Sequence, residues 1–169
     1  MVNYNSAEYA ALQANYENAS KAYKQTQDYE VFSSVADAFR NEALIKPFAE
    51  LLTNVRCGIS IAPGWYPIVG DACSKIMALI TANPGFRVRV EQIKEKFGGL
   101  RFYVVCYSTQ APKNEYDEPS ILDSHLSLRE AVYSIISEAE EKASITCETC
   151  GMPGTTKGTG WIKTSCAKH

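Results

Sequence analysis

The segment Phe86-Arg87-Val88-Arg89-Val90-Glu91-Gln92-Ile93, followed after Lys94-Glu95-Lys96-Phe97-Gly98-Gly99 by Leu100-Arg101-Phe102-Tyr103-Val104-Val105-Cys106-Tyr107, carries the clearest structural signal in the chain. Branched and aromatic residues dominate both runs, and Gly98-Gly99 lies in the connection, so the pair predicts an antiparallel β-hairpin. Side chains alternate across a strand. Phe86, Val88 and Val90 therefore share one face of the first run, and Arg87, Arg89 and Glu91 share the other. In the second run Leu100, Phe102, Val104 and Cys106 alternate with Arg101, Tyr103, Val105 and Tyr107. One face of the hairpin is core, and the other is basic and aromatic.

Upstream, the periodicity changes from two to between three and four. Residues 6 to 27 contain no Gly or Pro, and Tyr9, Leu12, Tyr16, Ala19 and Tyr23 form one narrow helical stripe. That stripe suits either an arm packed on the domain or a helix for self-association or partner binding. Glu30 to Asn54 is more strongly amphipathic, with Pro47 placed to split it into two helices. Cys57 to Ala62 alternates like a short strand, Pro63-Gly64 signals a turn, and a helix starting near Pro67 runs to the stop signal Asn83-Pro84-Gly85. Downstream, residues 108 to 126 form a long polar connection containing Glu115, Asp117, Glu118 and Asp123. Ser127-Leu128-Arg129-Glu130 has the form of a capping box at a helix start. The stripe Leu128, Val132, Ile135, Ile136, Ala139 and Ala143 then leads into the last 23 residues.

Those residues hold Cys147-Glu148-Thr149-Cys150 and, after 15 others, Cys166-Ala167-Lys168-His169. Two residues between ligands let a knuckle or a turn aim both at one ion, so Cys147, Cys150, Cys166 and His169 are the expected ligands of Zn2+. Four protein ligands close a tetrahedral site, which makes the expected zinc structural and not catalytic. Gly151 stands where a knuckle needs unusual backbone angles, and Gly154, Gly158 and Gly160 permit a short hairpin. The remaining thiols, Cys57, Cys73 and Cys106, occur in apolar contexts and read as buried core residues.

The expected fold is α+β. It comprises a helical N-terminal extension (1–55), an α+β core with a small antiparallel sheet on helices (56–146), and a zinc knuckle or treble-clef-like module (147–169). The chain is 169 residues with 46% apolar and 21% charged residues, enough to bury a core. Its formal charge of −2 argues against a generally basic nucleic-acid binder. Charge is nevertheless segregated. Residues 57–110 carry six Lys or Arg against three Asp or Glu, and residues 111–146 carry three against eight. The opening Met1-Val2-Asn3-Tyr4-Asn5-Ser6 lacks a basic start followed by an apolar run, and no stretch approaches about 18 apolar residues. A cytoplasmic protein without a membrane partner is expected, with its six cysteines reduced or on metal.

The run Lys94-Glu95-Lys96-Phe97-Gly98-Gly99-Leu100-Arg101-Phe102-Tyr103 resembles a group of small, uncharacterised phage and prophage proteins. Their pattern also has an upstream Gly-Trp, matched by Gly64-Trp65, and an Ala-Glu-rich helix leading into Cys-x2-Cys-Gly, matched by Ala139 to Gly151. Gly160-Trp161 and the final Cys166 to His169 complete the match, over roughly residues 58 to 169. The resemblance implies a phage origin and action in a host bacterial cytoplasm, and it brings no catalytic residues with it.

Three functions follow as expectations. The first is a non-enzymatic phage factor that binds and modulates a host protein, such as a defence component, with Trp65 and Trp161 as interface anchors. The second is a binder of nucleic acid or a nucleotide signal. It would use Arg87, Arg89, Lys94, Lys96, Arg101 and Tyr103, which set phosphate-directed cations beside a ring able to stack on bases. The third is a metal-dependent nuclease built on His125 and the acidic loop, which lacks any ligand spacing that would fix an ion.

Overall fold

The computed structural model describes residues 3–110 and 123–169. Helix α1 (Ala7–Thr26) starts where the Ser6 side chain accepts a hydrogen bond from Tyr9 N, and it ends at Gln27 in the left-handed conformation. Asp28 then caps α2 (Tyr29–Arg40) by accepting from Val31 N, so the two helices fold back on each other. The tyrosine stripe of α1 is spent on this contact. Tyr23 stacks on Phe32 with ring centroids 5.2 Å apart, Tyr16 lies against Phe32 and Phe39, and Tyr9 packs on Phe39.

Helix α2 runs into a widened π-type turn (Asn41–Ile45) before the short α3 (Ala49–Leu52). Pro47, which has no N–H to continue the ladder, stands at that break. A parallel strand β1 (Ile59–Ser60) follows, then a 3-10 turn (Pro63–Trp65) and α4 (Tyr66–Ala82), with Pro67 in its first turn. Strand β1 pairs with β2 through Ile59↔Ile93 and Ser60↔Lys94, which makes the three-stranded sheet mixed.

The hairpin forms as β2 (Phe86–Lys96) and β3 (Gly99–Ser108). Its tip is one residue earlier than the glycine pair suggests. Phe97 (φ +55°) and Gly98 (φ +75°) are both left-handed central turn residues, while Gly99 already pairs with Lys96. The Glu95 carboxylate accepts from Gly98 N and steadies the strained Phe97. A register shift between Val90 and Gln92 inserts one extra residue, Glu91, and so brings Ile93 into the core after Val90.

The core face of the hairpin packs on α4 and on α5 (Leu126–Ser144), which buries Val132, Ile136, Ala139 and Ala143. A single cluster of buried side chains extends from Tyr9 to Ala143, taking in the N-terminal helices, the sheet and α5. The outer edge of β3 is satisfied in part by α5, because Glu140 accepts from Phe102 N.

Two expectations are corrected here. No capping box forms at Ser127: a 3-10 turn (Asp123–His125) carries helical backbone upstream, so α5 begins at Leu126 and Ser127 falls inside its first turn. Cys57 is exposed, whereas Cys73 and Cys106 are buried as expected. Gly58 at φ +77° breaks the alternation after Cys57, and the residues of this segment that reach the core are the buried Ile61 and the half-buried Ile59. The acidic residues Glu115, Asp117 and Glu118, and the Asp123 side chain, lie outside the described residues. Among the described residues, no helix is long and apolar enough to cross a membrane.

Candidate metal centre and basic sheet face

The end of α5 delivers the chain into a knuckle. Cys147 N donates to Met152 O (2.7 Å) and Gly151 N donates to Cys147 O (2.9 Å), closing a tight loop around Cys147 and Cys150. Gly151 adopts φ +76°, which an L side chain rarely takes. Beyond it, β4 (Thr155–Lys157) and β5 (Lys163–Ser165) pair antiparallel, and the chain turns so that His169 N donates to Cys166 O. The second ligand pair thus sits on a turn, and the knuckle and short hairpin of the expected module are both present.

The four expected ligands come together. The three sulfurs and a ring nitrogen of His169 all lie within 4.8 Å of one another. Cys150 Sγ is 3.7 Å from Cys166 Sγ, and His169 Nδ1 is 3.7 Å from Cys147 Sγ and 3.3 Å from Cys166 Sγ. Cys147 is fully buried and His169 is exposed, so the cluster spans the module from floor to surface. The hydrogen bond from the His169 ring holds the Cys166 thiol down to about 6, while burial pushes Cys150 up to about 11. Three thiols and an imidazole packed this closely could hold a metal ion, with every position of a tetrahedron filled by protein.

Two parts of the sequence that looked unconnected hold this module in place. Gly64 N donates to Glu148 O (2.8 Å), and Trp65 Nε1 donates to Thr146 O (2.8 Å). Trp65 is wholly buried, so its expected role as an interface anchor is wrong: its ring fills the core and its N–H is spent on the knuckle. Replacing Trp65 by Phe is expected to keep most of the packing and leave the Thr146 carbonyl unpaired. Urea unfolding should show a loss of about 1–3 kcal/mol. On the other side, Thr164 Oγ1 donates to Gly98 O (2.6 Å), seating the tip of the large hairpin on the small one. Glycine-tryptophan and glycine-glycine dipeptides leave no periodic signal, so their docking role is legible only in the tertiary structure.

The remaining expected contact residues divide by position. Arg87, Arg89, Lys94 and Arg101 project from the polar face of β2 and β3 together with Tyr103, which is 46% exposed. Lys94 Nζ lies 5.5 Å from the centre of the Tyr103 ring, and Lys96 Nζ lies 5.4 Å from that of Phe97. Arg89 pairs with Glu91, which also faces Arg56 at 3.8 Å. Arg87 and Arg101 each donate to the carbonyl of the preceding residue, Phe86 and Leu100. Trp161, at the tip of the small hairpin, is 77% exposed. His125 lies edge-on to the Phe86 ring, 5.6 Å between centroids.

One residue with no signal of its own emerges beside the metal ligands. Glu148 is 6% exposed, with Lys163 Nζ 3.3 Å from one carboxylate oxygen and, among the described residues, no hydrogen-bond partner for the other. Burial raises its pKa above the ordinary carboxylate range, a shift that Lys163 partly offsets. No family model, curated protein or solved structure matches the chain.

Proposed function

We propose that this protein is a non-enzymatic, zinc-stabilised binding module that engages single-stranded nucleic acid through the basic face of its large hairpin, in a bacterial cytoplasm. The zinc assignment rests on donor chemistry and spacing. A tetrahedron with Zn–S bonds of about 2.3 Å has sulfur–sulfur edges of about 3.8 Å, against 3.7 Å between Cys150 and Cys166. Four protein donors leave no position for a reacting water, so the ion serves as scaffold.

The observation that carries the binding role is the exposed Tyr103 ring with Lys94 over it, in register with Arg101 on the neighbouring strand. Residues of one face recur every ~7 Å along a strand, so the cations form a row beside a stacking ring, as a flexible polyanion requires. Part of the charge of Arg89 is consumed locally by Glu91, which leaves Arg87, Lys94, Lys96 and Arg101 as the principal phosphate contacts, with Arg89 beside them.

Reversing Arg87, Arg89 and Arg101 to Glu is expected to weaken binding of a single-stranded oligonucleotide at least about tenfold. The slope of affinity against salt should fall at the same time, since fewer counterions are released. Fluorescence anisotropy at two salt concentrations measures both quantities. Wild-type protein that binds no oligonucleotide at low salt, or a triple variant that binds as well as wild type, removes this reading.

A second reading, contact with a host protein such as a defence component, is favoured by Phe97, Ile145 and Met152. These apolar side chains are exposed around the module, with Phe97 70% accessible. Under that reading Met152→Asp abolishes capture of the host protein while the triple arginine variant retains it.

A further inference from the structure

Between α1 and the metal module lies a hollow of about 420 Å³ that none of the roles above uses. Lys21 and Lys24 line it from α1, Lys163 and Lys168 from the module, and the half-buried Tyr16 ring and Glu148 form part of its wall. Its walls are tied together, because Gln13 Nε2 donates to Cys150 O across the gap (3.2 Å). A second hollow of about 410 Å³ shares Tyr16, Glu148 and Lys163 with the first and continues past them to Arg40 and the exposed Trp161. Each volume falls in the range of small-molecule sites, roughly 300–1,000 Å³.

The chemistry along this path is ordered. At one end, Lys21 and Lys24 stand one helical turn apart on α1, with Lys168 opposite. These three ammonium groups outnumber the one carboxylate of α1 that lines the same hollow, Glu17, and so suit a phosphate. At the other end Trp161 offers an aromatic face that nothing in the core explains. At the junction is Glu148, an acceptor with one oxygen on Lys163 and the other unpartnered. A buried carboxylate oxygen without a donor is costly, on the order of 1–3 kcal/mol or more. The last torsion of a glutamate is broad and two-fold, so a modest turn presents the unpaired oxygen to the groove. The group that would satisfy it is an N–H donor.

We infer that this groove binds a nucleotide with an amino-bearing base, its phosphate on Lys21, Lys24 and Lys168, its base amino group on Glu148, and its ring against Trp161. Adenine, cytosine and guanine each carry an exocyclic amino group. Uracil has only a ring N–H flanked by two carbonyls, which a carboxylate repels. The preference among nucleotides is therefore part of the inference. The site is separate from the polar face of the large hairpin, so it stands or falls independently of the role proposed there.

Titration calorimetry on the metal-loaded full chain tests it, with AMP, CMP, GMP, UMP and inorganic phosphate as probes. The three amino-bearing nucleotides are expected to bind at least fivefold more tightly than UMP, and UMP more tightly than phosphate. Lys21→Glu with Lys24→Glu, on the exposed surface of α1, should weaken every nucleotide at least tenfold. Glu148→Gln should bring AMP, CMP and GMP down to the level of UMP. Since Glu148 is buried, Trp161→Ala at the exposed end provides a second reading of the base contact, with an expected loss of at least fivefold for all four nucleotides and none for phosphate. The Arg87, Arg89 and Arg101 reversal should leave all these affinities unchanged. Absence of heat with any nucleotide at millimolar concentration overturns the inference. So does UMP binding as tightly as the others, phosphate binding as tightly as the nucleotides, indifference to both the lysine pair and Trp161, or a loss of affinity in the arginine variant.

Discussion

Stripping the metal from the purified protein with a strong chelator, or replacing Cys147 by Ser, is expected to release residues 146–169 from the body of the fold. Zinc bound by a small four-ligand module contributes on the order of 10 kcal/mol to folding. That is comparable with the entire stability of an ordinary domain, about 5–15 kcal/mol. The module has few other means of support. Its strands are three residues each, β4 is exposed throughout, and its fully buried side chains are Cys147 and Thr164. Trp65 reports the event, because its ring N–H is bonded to Thr146 at the root of the knuckle. Its fluorescence should shift to the red as the knuckle leaves, while the already exposed Trp161 changes little. Elemental analysis of unchelated protein should find one zinc per chain. A protein purified without transition metal, or one whose Trp65 emission ignores complete chelation, contradicts the metal-held architecture.

The second large effect is expected at a residue with no side chain at all. A Cβ on Gly64 would stand 2.2 Å from Cys147 O, 2.5 Å from Gly151 N and 2.7 Å from Glu148 O. All three are backbone atoms of the knuckle and cannot turn aside as a flexible side chain could. Gly64→Ala must therefore push the 3-10 turn away from the module and break the Gly64 N–Glu148 O bond. A loss above about 4 kcal/mol in urea unfolding is expected, at the severe end for single substitutions. Gly160→Ala is the matched control. Nothing lies within 4 Å of a Cβ there, so a change within about 0.5 kcal/mol is expected. Equal stability of the two variants would show that the knuckle does not rest on Gly64.

Both effects concern the same joint, between the metal module and two glycine-containing turns of the core. The turn at Gly64-Trp65 supports the knuckle from below, and the turn at Phe97-Gly98 presses on the small hairpin, where a Cβ on Gly98 would meet Thr156 at 2.9 Å. The ion fixes the module internally, and these turns fix the module to the domain. The groove lined by Lys21, Lys24 and Glu148 exists only because that joint places the module beside α1.

The amino-acid sequence by itself determined the elements and the ligand set. Alternation in residues 86–90 and 100–107 is a local property of extended backbone, and the stripe in residues 128–143 is a local property of helical backbone, so both survive as read, whereas the bulge at Glu91 that returns Ile93 to the core belongs to the pairing of the strands. The ligand spacing is equally local, since two intervening residues constrain where two side chains can point. The tertiary structure alone decided what touches what. Trp65 is equally able to fill a core or anchor a partner, and only its seat beneath Thr146 chooses. The tyrosine stripe of α1 shows an apolar face but not its occupant, which proves to be Phe32 and Phe39 of α2. Gly64 and Glu148 leave no periodic trace. Their importance arises from a close backbone approach and from a buried, half-satisfied charge, both created when segments more than 80 residues apart meet.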